Sequence, residues 1–449
     1  MNSRSASRVP VLPASGVLGH LQAFRRDPLA LLTRGVRERG DAVDFRLFTR
    51  HLVLLAHPDQ VRRVLQEHAS GYDKGTRGFE VLRTLLRDGL LTSEGAHWLR
   101  QRRIAQPAFH RSRIATFGQT MTRAAEALVD RWRPGETVDL SADMMRLTLR
   151  IVGETLLSTD VTTEADRVGA ALHVTLGHAN EALGRILPRP LWWPGGKGRA
   201  LRAAVATLDT VILDIIAARR VAAGPGPDDL LTMLMEARDE ETGETMNDAQ
   251  LRDEVMTIFL AGHETTALAL GWTWHLLARH PEVRERLHAA VDSALAGRSP
   301  TLDDLPRLGY VEQVVKEAMR LYPPAWAISR RALADDVVGG YAIPRGTIVL
   351  VSPYVTHRHP ALWPAPDRFD PEHFDPDRER ARPAFTYFPF GGGPRQCIGN
   401  SFAMLELVLV VAAIARRCRL DPVSDEEVGT NPSITLRPAR PIAMRVTPR

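Results

Sequence analysis

Phe390-Gly391-Gly392-Gly393-Pro394-Arg395-Gln396-Cys397-Ile398-Gly399 holds one of only two cysteines in a chain of 449 residues. Three consecutive glycines followed by a proline exclude a regular element, because glycine favours turn geometries and proline withdraws a backbone donor. The stretch therefore reads as a bent loop that presents the sulfur of Cys397. Asn400 or Ser401 is expected to cap the helix that follows, whose next residues are strongly apolar and whose positive end points back toward that sulfur. The dipole and the loop amides both favour a thiolate. A structural disulfide is not expected, since Cys418 is the only partner available and the N-terminal residues do not read as a secretory signal. A lone buried cysteine is ordinarily an inert small hydrophobe. The residues around Cys397 are what set it apart.

Composition narrows the remaining possibilities. A hydrophobic content of 44% is ample for a large core, and Pro and Gly are spread along the chain without a linker, repeat or low-complexity tract. One globular unit over residues 1–449 is expected. The longest apolar run, Leu407 to Ala415, is bracketed by Glu406 and Arg416 and falls far short of the ~20 residues a membrane span needs. It reads as a buried helix. Met1 to Leu12 carries Arg4 and Arg8 with no hydrophobic segment behind them, so neither anchor nor leader is expected and the protein is read as cytoplasmic. A net charge of +5 permits acidic partners. Nucleic acid is not among them, for want of zinc-finger spacing, an RNA-binding signature or a long basic tail.

Along the chain, Pro28 to Arg39 has helical spacing and stops at Gly40. Ala42 to Phe48 and Leu52 to Ala56 read as a hairpin, and His57-Pro58-Asp59 opens a helix running to about Glu67. Ser70 to Thr92 is expected to be an irregular binding loop, since Gly71, Gly75, Gly78 and Gly89 interrupt large apolar residues; folding of those residues onto the core is the equally open alternative. Gly95 to Arg103 starts a helix with Trp98 and Arg102 on one face, by itself a solvated basic face with one buried Trp. Ile114 to Arg220 is helical with breaks near Pro134, Ser158 and Pro188. Trp192-Trp193 either lines a substrate path, touches a membrane surface or packs on neighbouring helices.

Asn247 to about His280 is the longest helical stretch, capped by Asn247 and stopped by Pro281, and spans around 50 Å at ~1.5 Å per residue. Its centre reads Ala261-Gly262-His263-Glu264-Thr265-Thr266. A glycine inside a helix costs about 1 kcal/mol against alanine, and an acid beside two hydroxyls breaks an otherwise apolar pattern. Such local rule-breaking marks a site, although a kinked helix with Glu264 at the surface also accounts for it.

Phe390, Gly393, Arg395, Cys397 and Gly399 together form Phe-x-x-Gly-x-Arg-x-Cys-x-Gly, which closely resembles the haem-binding loop of the cytochrome P450 family. Ala261-Gly262-x-Glu264-Thr265 is similar to that family's oxygen-binding helix. Trp98-x-x-x-Arg102 resembles its propionate-binding helix, and Glu317-x-x-Arg320 with Pro366-Asp367-Arg368-Phe369 resembles its buried triad. The resemblance implies a mainly α fold with a small β region, the cytochrome P450 fold, as a single haem domain without a fused reductase. It implies haem b (iron protoporphyrin IX) with Cys397 as the axial ligand of the iron, a thiolate that favours O–O cleavage. Gly393 and Gly399 belong to the cofactor loop, Phe390 packs near the sulfur, and Arg395, Trp98, Arg102 and Arg330 serve the propionates. Ala261 and Gly262 leave room for dioxygen, Thr265 hydrogen-bonds it, and Glu264 helps relay the protons that O–O heterolysis demands. Ala325 to Ile328, with Trp326 the bulkiest, lie against substrate, as does the loop after Ser70.

The implied function is hydroxylation or other oxidation of a hydrophobic small molecule, terpenoid or fatty-acid-like, using O2 and two electrons. No flavin or dinucleotide segment is recognisable, so a separate ferredoxin or flavodoxin with its reductase is expected to supply the electrons to a monomer, with Arg100, Arg103, Arg111 and Arg113 as a dock for an acidic carrier. A peroxygenase or haem-thiolate isomerase, and a non-catalytic haem sensor, are the rival readings. The Glu264-Thr265 pair argues against each.

Overall fold

The computed structural model describes residues 6–449 apart from 15, 160–163, 184–194, 223–225, 228, 239–242 and 244. Trp192 and Trp193 thus lie outside the described residues. Helices make up most of the described residues, with short strands and irregular segments between them, the mainly α arrangement with a small β region that the sequence implies. The chain divides into two compact units.

The first unit comprises Met1–Glu80, Lys316–Cys397 and Ile434–Leu436. Its sheet has five strands in the order Ala42–Leu47, Arg50–Leu55, Ile348–Val351, Ile328–Ala332 and Tyr72–Asp73. The first two form the expected hairpin, with Ala42 opposite Leu55, and Leu52 starts a parallel pairing with Ile348. Alternation sorts the side chains between two apolar cores. Phe45, Leu52, Leu54 and Leu350 face helix Pro28–Arg39 and Trp326, while Val53, Leu55, Val349 and Val351 pack with Val61, Val64 and Phe388. Helix Pro28–Arg39 starts as its sequence dictates, with proline in the first turn and Asp27 Oδ1 accepting from Ala30 N at 2.9 Å.

The second unit holds Val81–Val315, Ile398–Ser433 and Arg437–Arg449. Helix Asp248–Arg279 runs through it and is buried from Leu251 to Phe259 and again over most of its C-terminal half. Its start is a capping box: Asn247 Oδ1 accepts from Gln250 N at 3.0 Å and Gln250 Oε1 accepts from Asn247 N at 3.1 Å. Helices Arg111–Arg131, Leu140–Leu156, Gly196–Val221 and Asn400–Arg417 belong to the same unit, as does a sheet ordered Thr137–Asp139, Ala443–Pro448, Cys418–Pro422. The apolar run Leu407 to Ala415 is buried throughout, and no helix among the described residues is long and apolar enough to cross a membrane.

The expected irregular loop after Ser70 contains a helix, Arg77–Leu86. Gly78 falls in its first turn, where a helix tolerates it, and Val81, Leu85 and Leu86 bury one face. The glycines at 71, 75 and 89 all lie outside it.

Candidate functional site

The cysteine loop is built by turns, as its glycines require. Gly391 N donates to Phe388 O at 2.9 Å, Gln396 N to Gly393 O at 3.1 Å, and Cys397 N to Phe390 O at 3.0 Å. Gly391 and Gly393 have φ of +69° and +66°, a region that side chains disfavour. A Cβ on Gly393 would also strike the Leu65 carbonyl, and one on Gly392 would strike the Phe385 ring. The loop thus lies directly on Leu65 and Phe385, Phe390 and Arg395 are half-buried, and the Cys397 thiol is exposed. Beside it Gln66, Phe385, Tyr387 and Gln396 line a cleft of about 360 Å3. The next helix begins at Asn400 with Gly399 as its cap. Asn400, expected as the cap, instead accepts from Ser401 N at 2.6 Å, a bond its neighbour offers without leaving the helix.

A fully buried ion pair supports this loop. Glu317 and Arg320, on helix Gly309–Leu321, meet through two bonds of 2.7 and 2.8 Å. The third side chain at the pair is not the expected Arg368. That residue is exposed and offers only its carbonyl, at 2.9 Å from Arg320 Nη2. His373 takes the place instead, with Nδ1 3.1 Å from Glu317 Oε1 and Nε2 2.8 Å from Pro364 O. The reason lies in a repeated pattern: Pro-x-x-Phe occurs at 366–369 and again at 371–374, and the second copy faces the pair. Arg320 Nη1 also donates to His357 O at 2.8 Å, and His357 Nε2 accepts from Phe388 N at 2.9 Å. Burial, and then the Arg320 charge, hold His357 far below the usual imidazole range, so it is neutral and free to accept. A continuous set of bonds therefore leads from Glu317 to the start of the cysteine loop.

Two buried cations stand close together in the same unit. Arg330, on strand Ile328–Ala332, and Lys74 are 9% and 4% exposed. They lie 5.9 and 5.3 Å from the centre of the Phe79 ring. Buried like charges favour an anion at their side. Arg330 was expected here; Lys74 was not, since an isolated lysine in a glycine-rich stretch carries no signal.

In the second unit the centre of helix Asp248–Arg279 breaks its own burial. Leu260, Gly262 and Thr265 are half-covered and Ala261 is exposed, inside a helix buried on both sides of them. Thr265 Oγ1 donates to Ala261 O at 2.7 Å, which leaves its lone pairs as acceptors. A Cβ on Gly262 would lie 3.2 Å from Val152 Cγ2, so this glycine serves close approach of helix Leu140–Leu156, and Ala261 carries the small-residue role on the open strip. Glu264 is buried, not at the surface, and Oε1 accepts from Arg437 Nε and Nη2 at 2.9 and 2.7 Å. His263 points elsewhere and is buried; desolvation pushes it down to about 4, so it is uncharged at neutral pH. Trp98 and Arg102 are half-buried on helix Gly95–Ala105, where Leu99 and Arg103 are exposed.

The donor set suits haem. Within the first unit, the accessible Cys397 thiol would hold the iron, and buried Arg330 and half-buried Arg395 would meet carboxylates; within the second, half-buried Arg102 offers a further cation, and the strip at Ala261 leaves room for a small molecule.

Comparisons with known proteins agree. The Cytochrome P450 family model matches residues 9–445. Cyclooctatin synthase of Streptomyces melanosporofaciens is 40% identical over 96% of this chain and 94% of its own length. Cyclooctat-9-en-7-ol 5-monooxygenase of the same organism is 38% identical over 91% and 88%. Pentalenene oxygenase of Streptomyces avermitilis is 34% identical over 96% of each chain. The crystal structure of the cytochrome P450DA heme domain superposes with a TM-score of 0.90 at 31% identity, covering 99% of this chain and 98% of that one. With the loop, the helix and the extent of these matches in agreement, the chain belongs to the cytochrome P450 family and is a haem-dependent monooxygenase.

Proposed function

We propose that this enzyme oxidises a terpenoid, with haem b held through Cys397 and electrons received from a separate ferredoxin or flavodoxin and its reductase. The observation that carries the reading is the strip at Ala261 and Thr265, uncovered in a helix that is buried on either side. The names of the relatives, an oxygenase of pentalenene and a 5-monooxygenase of cyclooctat-9-en-7-ol, support the substrate class.

When bound, the haem activates O2, so that one oxygen atom enters a C–H bond and the other leaves as water with two protons and two electrons. Cys397 would hold the iron through its thiolate, kept in place by the turns at Phe388 and Phe390. Arg395, Trp98, Arg102 and Arg330 would bind the haem's carboxylates, joined by Lys74. Thr265, its own proton committed to Ala261 O, accepts a hydrogen bond on the open strip and orients a water there. Glu264 takes protons toward Thr265, and Arg437 fixes its carboxylate. Trp326, expected against substrate, packs instead with Phe45, Leu54 and Leu350 in the core of the first unit. Arg100, Arg103 and Arg113 attract an acidic carrier. The chain works as one haem domain, a cytoplasmic monomer.

Titrating the purified ferric protein with terpenes, fatty acids and steroids tests the substrate class. A type I spectral shift confined to terpenes, with product formed from NAD(P)H and redox partners but not from peroxide, is expected. Product from peroxide at the same rate favours a peroxygenase and contradicts the reading.

A further inference from the structure

Glu254 has no part in the chemistry above. It lies on helix Asp248–Arg279 at i, with Ala261 at i+7 and Thr265 at i+11, and so on one face of the helix, about 10 Å along the axis from Ala261. The side chain is fully buried. Oε2 accepts from Leu90 N at 3.1 Å, and Oε1 is buried without a hydrogen-bond partner.

The segment from Leu85 to Ser93 is strapped over this part of the helix. Leu85 O accepts from Arg252 Nη1 at 3.0 Å, and Asp88 N donates to Asp253 Oδ2 at 3.3 Å. At the middle of the strap a Cβ on Gly89 would collide with Thr257 Oγ1 and the Asp253 carbonyl. The strap therefore touches the helix backbone only because residue 89 is glycine, and in doing so it seals Glu254 from water.

We propose that Glu254 and Gly89 form a pH-controlled latch, in which the protonated carboxyl lets the strap close on the helix and its ionisation releases the strap from the face that carries Ala261 and Thr265. Burial pushes the Glu254 carboxyl up to about 8; the Leu90 N–H pulls against this and the Asp253 charge adds to it. Cations nearby are engaged elsewhere. Arg252 and Arg87 meet Asp209 of helix Gly196–Val221 and Asp253. On helix Gly95–Ala105, His97 faces Gln101, which donates to Asp88 O.

The sign follows from proton binding. Released into water, the carboxyl returns to its ordinary value of 4.5, so the closed strap holds a proton that the open strap has lost. Closure is complete below that value and weakens as pH rises through about 8. The latch does not depend on which molecule is oxidised.

Residue-resolved hydrogen exchange on the haem-loaded full chain tests it. After division by the intrinsic rate, the opening constant of the Leu90 amide is expected to rise about tenfold or more from pH 6 to pH 8. It stays flat in Glu254→Gln, which keeps the shape and the acceptor without titrating. Gly89→Ala, which drives the strap off, leaves Leu90 unprotected at both pH values, while Val411 in helix Asn400–Arg417 reports that the core is intact. An opening constant that is level in the unaltered chain overturns the latch. So does one that rises equally in Glu254→Gln, one that Val411 follows, or full Leu90 protection in Gly89→Ala.

Discussion

At residue 265 a single hydroxyl faces two demands, and the helix answers one of them: Oγ1 gives its proton to Ala261 O, which in the proposed function leaves its lone pairs for a water or for oxygen. Thr265→Ala is expected to bind substrate normally but to waste electrons as peroxide, with product per NAD(P)H falling about tenfold or more, as removal of a group that positions protons does. Equal product per NAD(P)H in the variant contradicts this role. Its neighbour depends on a residue 173 positions away, for Arg437 is the cation that meets Glu264. Arg437→Gln takes the arginine away from a buried carboxylate and is expected to cost about 3 kcal/mol in chemical denaturation, with Arg437→Lys recovering much of it. Unaltered stability in Arg437→Gln counts against the pair. Gly262, Glu264 and Thr265 stood out because a glycine and a polar run interrupt an otherwise apolar helix within one turn, and Ala261 came with them through the family resemblance. Arg437 was not legible, because a partner so distant leaves no local trace, and Lys74 was not, because only its burial distinguishes it.

In the proposed function two elements position the chemistry, the cysteine loop and the buried pair behind it. Gly393 combines a positive φ with the Leu65 carbonyl at its side, so Gly393→Ala is expected to lose about 1–3 kcal/mol or more through strain and to retain haem poorly. Full haem content at unaltered stability sinks that reading. Glu317→Ala removes the acceptor shared by Arg320, His373 and the Asp370 amide, a loss of about 3–5 kcal/mol, and is expected to yield poorly folded, haem-free protein; a soluble variant with full haem content contradicts it. Glu317 and Arg320 were readable only through the family resemblance, since an acid and a base three apart on a helix are common. Their third partner was misassigned, because Pro-x-x-Phe occurs twice within nine residues and only packing decides which copy turns inward. The helix Arg77–Leu86 was missed for a related reason: glycines counted over a window suggest a loop even when all but one lie outside the helical turn itself.

For the molecule as a whole, buried titratable groups bound its stability from both sides. Desolvation holds His263, His275 and His288 down near 4. The unfolded chain takes up protons there first, so stability falls as pH drops below about 6.5 toward that value. Glu406, in helix Asn400–Arg417, has neither carboxyl oxygen paired, and burial alone raises it well above the carboxyl range. Its contribution is present in acid and is lost as pH rises. Glu406→Gln is therefore expected to raise Tm at pH 8 more than at pH 5; an equal change at both pH values contradicts the assignment. None of these groups was legible in sequence, since a His or Glu in a helix is far more often solvated. The fold itself was, because apolar spacing, caps and the ordered motifs all point the same way.

The claim on which the rest depends is the bond between the Cys397 thiolate and haem iron. Its most direct test is the absorption spectrum of the reduced, carbon-monoxide-treated protein, recorded beside Cys397→Ser. The unaltered chain is expected to give the red-shifted Soret band of a thiolate-ligated haem, and the serine variant to lose it; an unshifted band in the unaltered chain, or the same band in both, contradicts the account.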